Sequence, residues 1–244
     1  GAINFVMPTG YDADLFGGEV RLVAGVAKGI DLIAVDAPHL YDRPGNIYLG
    51  PDGKDWPDNA QRFGALSIAV TDAGRGIIKG YAPDILHLHD WQAALAAVYV
   101  KFGGGPKTLL TVHNIAFQGQ FPASVFASLK LPSAAFAIDG VEYYGNVSYM
   151  KGGLACADAI STVSPSYAQE ICTPEYGMGL DGLLRARRSV VTGIVNGIDI
   201  GVWNPATDRD IAATYTAKTL DKRIINKRAV EKRPRFQVAK HEIG

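Results

Sequence analysis

The 244-residue chain carries 24 Lys+Arg against 24 Asp+Glu, a formal net charge of zero, and 48% of its residues are hydrophobic. This composition can bury a core of one large or two small domains, and it gives no bulk field towards nucleic acid or an anionic membrane. No window reaches the ~18–20 consecutive apolar residues that span a bilayer. The start, GAINFVMPTG, lacks the basic and apolar regions of a signal peptide, and two cysteines, Cys156 and Cys172, make no disulfide framework. A reducing cytoplasm is therefore expected, with no nucleic-acid or membrane partner.

In chain order, Gly1–Pro8 reads as the late part of a strand. Ile30–Val35 (IDLIAV) is a strand candidate ending at Asp36-Ala37-Pro38. Pro57–Lys79 has helical spacing, with Phe63, Leu66, Ala69 and Val70 on one face and Asp58 able to cap it. Asp84–His87 is a strand, Trp91–Phe102 a helix stopped by Gly103-Gly104-Gly105-Pro106, and Lys107–Val112 a strand. Val147–Ala157 reads as a helix and Ala159–Val163 as a strand. Ser164 can cap a helix starting at Pro165, and Val190–Val195 is the last clear strand. From Asn226 a basic tail reads as a helix that frays into a poorly ordered end. Strands apolar on both faces, alternating with helices, predict an α/β fold: a Rossmann-like doubly wound parallel sheet.

Two blocks carry chemistry. DILHLHDWQ (Asp84–Gln92) and TVHNIAFQG (Thr111–Gly119) each begin apolar and end in His, Asp, Trp, Asn and Gln. Open α/β sheets bind ligands at the C-terminal ends of their strands, so the two blocks set up one site. His113 is either a site imidazole or a buried histidine bonded to a loop. Asp90 can hydrogen-bond a ligand or cap the helix that follows, and Trp91 can stack on a ligand's apolar face or belong to the core. His87 and His89 share a strand face and with Asp90 invite a metal reading, but no further ligands stand at suitable spacing. Asn196 in VNGID is a ligand contact or turn chemistry. Trp56 in WPDN offers an aromatic platform. Lys151-Gly152-Gly153 lacks the remaining residues of a phosphate loop, and its glycines fit close packing instead. There is no Gly-x-Ser-x-Gly elbow of a hydrolase, and no Gly-x-Gly-x-x-Gly follows a first strand as in an NAD enzyme.

HLHDWQ, TVHNIAFQGQF and GIVNGIDIGVWNP resemble the N-terminal half of bacterial glycogen synthase and plant starch synthase. DAPHLYDRP, WPDNAQRF, YYGNVSYMKGG, STVSPSY and YGMGLDG extend the resemblance, in uninterrupted order, over roughly residues 30–225. It implies the N-terminal domain of a GT-B glycosyltransferase over 1–225, with 226–244 as a divergent tail. It further implies a retaining enzyme that passes glucose from ADP-glucose to an α-1,4-glucan, with the nucleotide sugar as donor substrate and no metal or other cofactor. His113 would lie against the transferred glucose. Trp56, Asp90, Trp91, Asn114, Gln118 and Asn196 would bind substrate. The family's first strand with its Lys-Thr-Gly-Gly-Leu-Ala-Asp loop has no match here, since Gly17-Gly18 in DLFGGEV lacks the lysine. The second Rossmann-like domain, which holds most of the nucleotide sugar, also has no match. The expectation is an acceptor-side domain inactive alone, or a glucan-binding fragment without catalysis, in a bacterial cytoplasm or a plant plastid.

Overall fold

The computed structural model describes residues 4–232 and divides the chain into two compact units, Gly1–Val195 and Asn196–Gly244. In the first unit, β1 (Asn4–Asp14), β2 (Glu19–Ala27) and β3 (Ile30–Asp36) form an antiparallel sheet in that order. Its turns explain it. Phe16-Gly17 (φ 57° and 90°) and Lys28-Gly29 (φ 50° and 78°) are two-residue turns with both φ positive, the geometry that matches strand twist in hairpins. The Leu15 N–H donates to Gly18 O at 3.0 Å to close the first. Gly17-Gly18 therefore belongs to a hairpin. Ile30–Val35 is a strand as expected, but it joins this sheet and not the parallel one. A two-residue turn can join only antiparallel neighbours, whereas a parallel partner needs a crossover.

The short α1 (Pro38–Tyr41) leads towards α2 (Asn59–Gly74). Ala65, Ala69 and Ala73 form a buried stripe on α2 that lets Tyr11, Leu15, Val20 and Leu22 approach closely. The helix is shorter than the Pro57–Lys79 pattern, since Gly76 turns to φ 81° just past its end. Asp58 stands at the N-cap without capping. Its two carboxylate oxygens instead accept from Arg43 Nη1 and Nη2, each at 2.9 Å.

The parallel part of the unit follows the expected alternation, but Val147 and Ser148, expected to open a helix, lie in a short strand instead. β4 (Ile85–His89), α3 (Asp90–Gly103) and β5 (Lys107–Val112) form a parallel βαβ unit. β6 (Gln120–Phe121), β7 (Glu142–Tyr143) and β8 (Asn146–Ser148) make a small antiparallel sheet. α4 (Tyr149–Cys156) starts at Ser148, whose Oγ accepts from the Lys151 N–H at 3.2 Å. Then come β9 (Ala159–Thr162), α5 (Pro165–Glu170), α6 (Asp181–Ala186) and β10 (Val191–Gly193). Ser164 caps α5 as expected, accepting from the Tyr167 N–H at 3.0 Å. The parallel sheet runs β10-β9-β5-β4. Leu86, Leu88, Leu110, Val112 and Ile160 meet Ala94, Leu95 and Val98 of α3 and Leu154 of α4 in one core. In the second unit, α7 (Arg223–Glu231) begins three residues before Asn226, whose side chain exchanges two 2.8 Å bonds with the Ala213 backbone. The expected fraying beyond 232 lies outside the described residues.

β4 is an edge strand, so its burial alternates where apolar coverage on both faces was expected, and Ile85 is 60% exposed. Beside it lies an apolar groove of about 840 Å³ between β2, β3 and α2, lined by Leu22, Val26, Ile33, Ala69, Val70 and Leu86 among others. Exposed edges and apolar surface favour association. The chain is expected to self-associate at micromolar concentration and Ile85→Lys to reduce this. Sedimentation velocity showing a monodisperse parent monomer would overturn the expectation.

Candidate functional site

The C-terminal ends of β4 and β5 point the same way, so the two polar blocks meet. Asp90 turns the chain from β4 into α3 at φ 52°, a left-handed conformation that Asp tolerates better than most residues. This turn sends its carboxylate to the next strand. Asp90 Oδ1 accepts the His113 N–H at 2.7 Å and the Asn114 N–H at 3.4 Å. The N-cap of α3 is His89, without a side-chain cap, so the capping alternative for Asp90 does not hold. Its carboxylate clamps the exit of β5.

A polar array spreads from this clamp over the sheet. His89 Nδ1 lies 3.0 Å from His113 Nε2. His87 Nε2 lies 2.6 Å from Thr111 Oγ1, which lies 2.6 Å from Ser161 Oγ. The His87 and His89 rings lie 4.2 Å apart. Burial holds the His89 pKa below the ordinary histidine value, helped by the nearby His87 and His113 and opposed by Asp90. Among the described residues, no group of three His, Cys, Asp or Glu side chains is placed to hold a metal ion.

Next to the clamp opens a cavity of about 750 Å³. Asp90, Trp91, Asn114 and Gln118 line it together with Tyr48, Asn59, Gln92 and Phe121. Trp91 is both floor and core: it is buried and packs edge-on against Phe63 at 4.5 Å. The Asn114 Oδ1 accepts the Ala116 N–H at 3.0 Å in a local turn. Gln118 is buried, with Nε2 donating to Met178 O at 2.9 Å and Oε1 accepting from Gln120 at 2.7 Å. It therefore braces two loops as well as facing the cavity. Gln92 donates to the Tyr48 hydroxyl at 2.6 Å.

His113 is exposed and is not among the lining residues, but it precedes Asn114 and its backbone N–H is held by Asp90, which both line the cavity. Trp56 is not among the lining residues. Its backbone N–H donates to Tyr48 O at 3.0 Å, and the Arg43 guanidinium sits 4.7 Å above its ring, so that face is already taken. Its Nε1 is buried without a partner. Asn196 is exposed and opens the second unit. Sequence reasoning missed Tyr48 and Phe121. Tyr48 arrives from a loop 42–58 with no periodicity, while the block WPDN next to it was the available signal.

A family model described as "Starch synthase catalytic domain" matches residues 4–186. A glycogen synthase of Rhodopseudomonas palustris (strain BisA53) is 55% identical over 233 residues, 95% of this chain and 48% of that protein. Glycogen synthase 1 of Rhizobium meliloti (strain 1021) is 55% identical over 229 residues, 93% of this chain and 48% of that protein. Among solved structures, the catalytic domain of starch synthase IV from Arabidopsis thaliana, bound to ADP and acarbose, aligns with a TM-score of 0.70 at 28% identity. That alignment covers 99% of this chain and 50% of the other. The chain thus spans about half the length of the relatives it matches.

Proposed function

Because the chain belongs to the starch synthase catalytic domain family, we propose that it forms the glucan-binding wall of a glucosyltransferase. The complete protein would pass glucose from ADP-glucose to the non-reducing end of an α-1,4-glucan, with retention of configuration, in the cytoplasm. The observation that carries this reading is the Asp90 clamp, which aligns His113 and Asn114 beside a cavity floored by Trp91. An aromatic floor with converging hydroxyl, amide and carboxylate groups suits a pyranose, whose faces are apolar and whose rim is all hydroxyls. Asp90 Oδ2 and the Asn114 amide nitrogen have no partner among the described residues, so both are open to sugar hydroxyls. His113, with surrounding dipoles, would stabilise positive charge developing at the anomeric carbon. Trp56 would act from behind Tyr48, and Asn196 would contact the donor glucose.

A narrower reading has its own support: the chain alone binds glucan without transferring glucose. Among the described residues no Lys or Arg lines the cavity, so none of them would neutralise the departing ADP there. The 244-residue chain is expected to bind maltoheptaose in titration calorimetry and to incorporate no glucose from ADP-glucose into glycogen. Asn114→Ala is expected to weaken maltoheptaose binding about fivefold, the loss of roughly one hydrogen bond. Unchanged affinity, or no binding by the parent chain, would reject the glucan-binding wall. Glucose incorporation by the chain alone would reject the narrower reading.

A further inference from the structure

His113 Nε2 is occupied by His89 Nδ1 at 3.0 Å, with the two rings tilted by 34°. We propose that His89 is the positioning residue for His113, fixing its ring and tautomer so that Nδ1 is the nitrogen presented to a sugar hydroxyl. The consequence for the sugar rests on the function proposed above; the pairing itself does not.

A hydrogen bond between two neutral imidazoles needs one donor and one acceptor. Whichever form His89 Nδ1 takes, His113 Nε2 must take the other, and the state of His113 Nδ1 follows. The backbone leaves the ring little else to settle, because the Asp90 carboxylate already holds the His113 N–H at 2.7 Å. His89 is itself held in place. It is the N-cap residue of α3 and lies 4.2 Å from the His87 ring, which is tied through Thr111 to Ser161. The charged and titratable groups facing His89 are His87 and His113, which disfavour its protonation, and Asp90, which favours it. Burial is the largest influence and keeps the ring towards its neutral form, the form able to accept as well as donate. No hydrogen bond to His113 Nδ1 exists among the described residues, so that nitrogen is free for a ligand.

The test is long-range ¹H–¹⁵N imidazole NMR on the full chain, above the titration range of its histidines. In the parent, His113 is expected in one tautomer. In His89→Asn, whose side-chain amide can stand in for Nδ1, that tautomer should persist. In His89→Phe, which keeps ring volume without a nitrogen, His113 should move to the mixed ratio of a free imidazole. A mixed tautomer in the parent, or an unchanged one in His89→Phe, overturns the proposal. Loss of folding in His89→Phe transfers the same reading to His89→Ala. Maltoheptaose added to the same samples separates the two ideas: unmoved Asn114 and His113 signals would reject the glucan reading while the tautomer dependence stood.

Discussion

Trp91→Ala is expected to lower the free energy of unfolding by about 4 kcal/mol, the range for removing a large buried aromatic. Trp91 is 8% exposed and stands among Tyr48, Phe63, Phe121 and Tyr149, with ring centroids 4.5–6.4 Å away. The indole is tightly enclosed. Gly119, at φ 56°, already lies so close to the indole that a Cβ there would meet its edge. Urea unfolding followed by far-ultraviolet circular dichroism measures the change, and a loss under about 1.5 kcal/mol would show that Trp91 is an exposed platform and not a core residue. The same packing makes Trp91→Ala a poor probe of ligand binding, because lost retention on glycogen would report collapse as readily as lost stacking. Trp91→Phe keeps most of the packing and is the informative variant.

Gly153→Val is expected to cost about 3 kcal/mol through overpacking. A Cβ at Gly153 would sit 2.6 Å from Ala94 Cβ and 3.0 Å from both Ala94 O and Leu110 Cδ2. Ala94 Cβ and O cannot yield without moving α3 or α4, although Leu110 Cδ2 is the end of a side chain. Gly182→Ala in α6 is the comparison at an open site, to be set beside Gly153→Ala. Its nearest atom would be Arg185 Nη2 at 3.8 Å, so alanine's better helix propensity should make it neutral or stabilising by roughly 0.5 kcal/mol. Equal melting temperatures for Gly153→Val and the parent would contradict the close contact of the two helices.

Gly153 also shows what the sequence made legible. Lys-Gly-Gly in isolation looks like anion-binding chemistry, yet its context points to packing, and the structure packs it. Lys151 beside it is buried and donates to Ala137 O, Ile138 O and Gly140 O, which fastens a loop. The four parallel strands and helices α3, α4 and α5 were readable because each is a short run with a clear stop, whereas α6 was not. The β1–β2 hairpin was not: Pro8 and Gly10 break its pattern, and its pairing is irregular between Pro8 and Asp12. Within the site, Asp90, Trp91, His113 and Asn114 stood out because they directly follow strands. The bond partner of the Asp90 carboxylate did not, because it depends on a left-handed backbone that no spacing rule reveals. Tyr48 reaches the cavity through a long loop, a contact between distant positions that only the folded chain displays.

The line Ser161–Thr111–His87 has a bearing on folding as well as on the site. Parallel strands could satisfy their backbone bonds in several alignments, and side chains choose among them. On β4, Leu86 and Leu88 enter the core while His87 and His89 occupy the other side. A slip of one residue would drive two imidazoles in among the apolar side chains of α3, where an unpartnered polar group is costly, and would turn two leucines towards water. The histidines would therefore penalise a misaligned strand during folding. An apolar replacement at His87 could raise the stability of the correctly folded chain and still increase the fraction that misfolds.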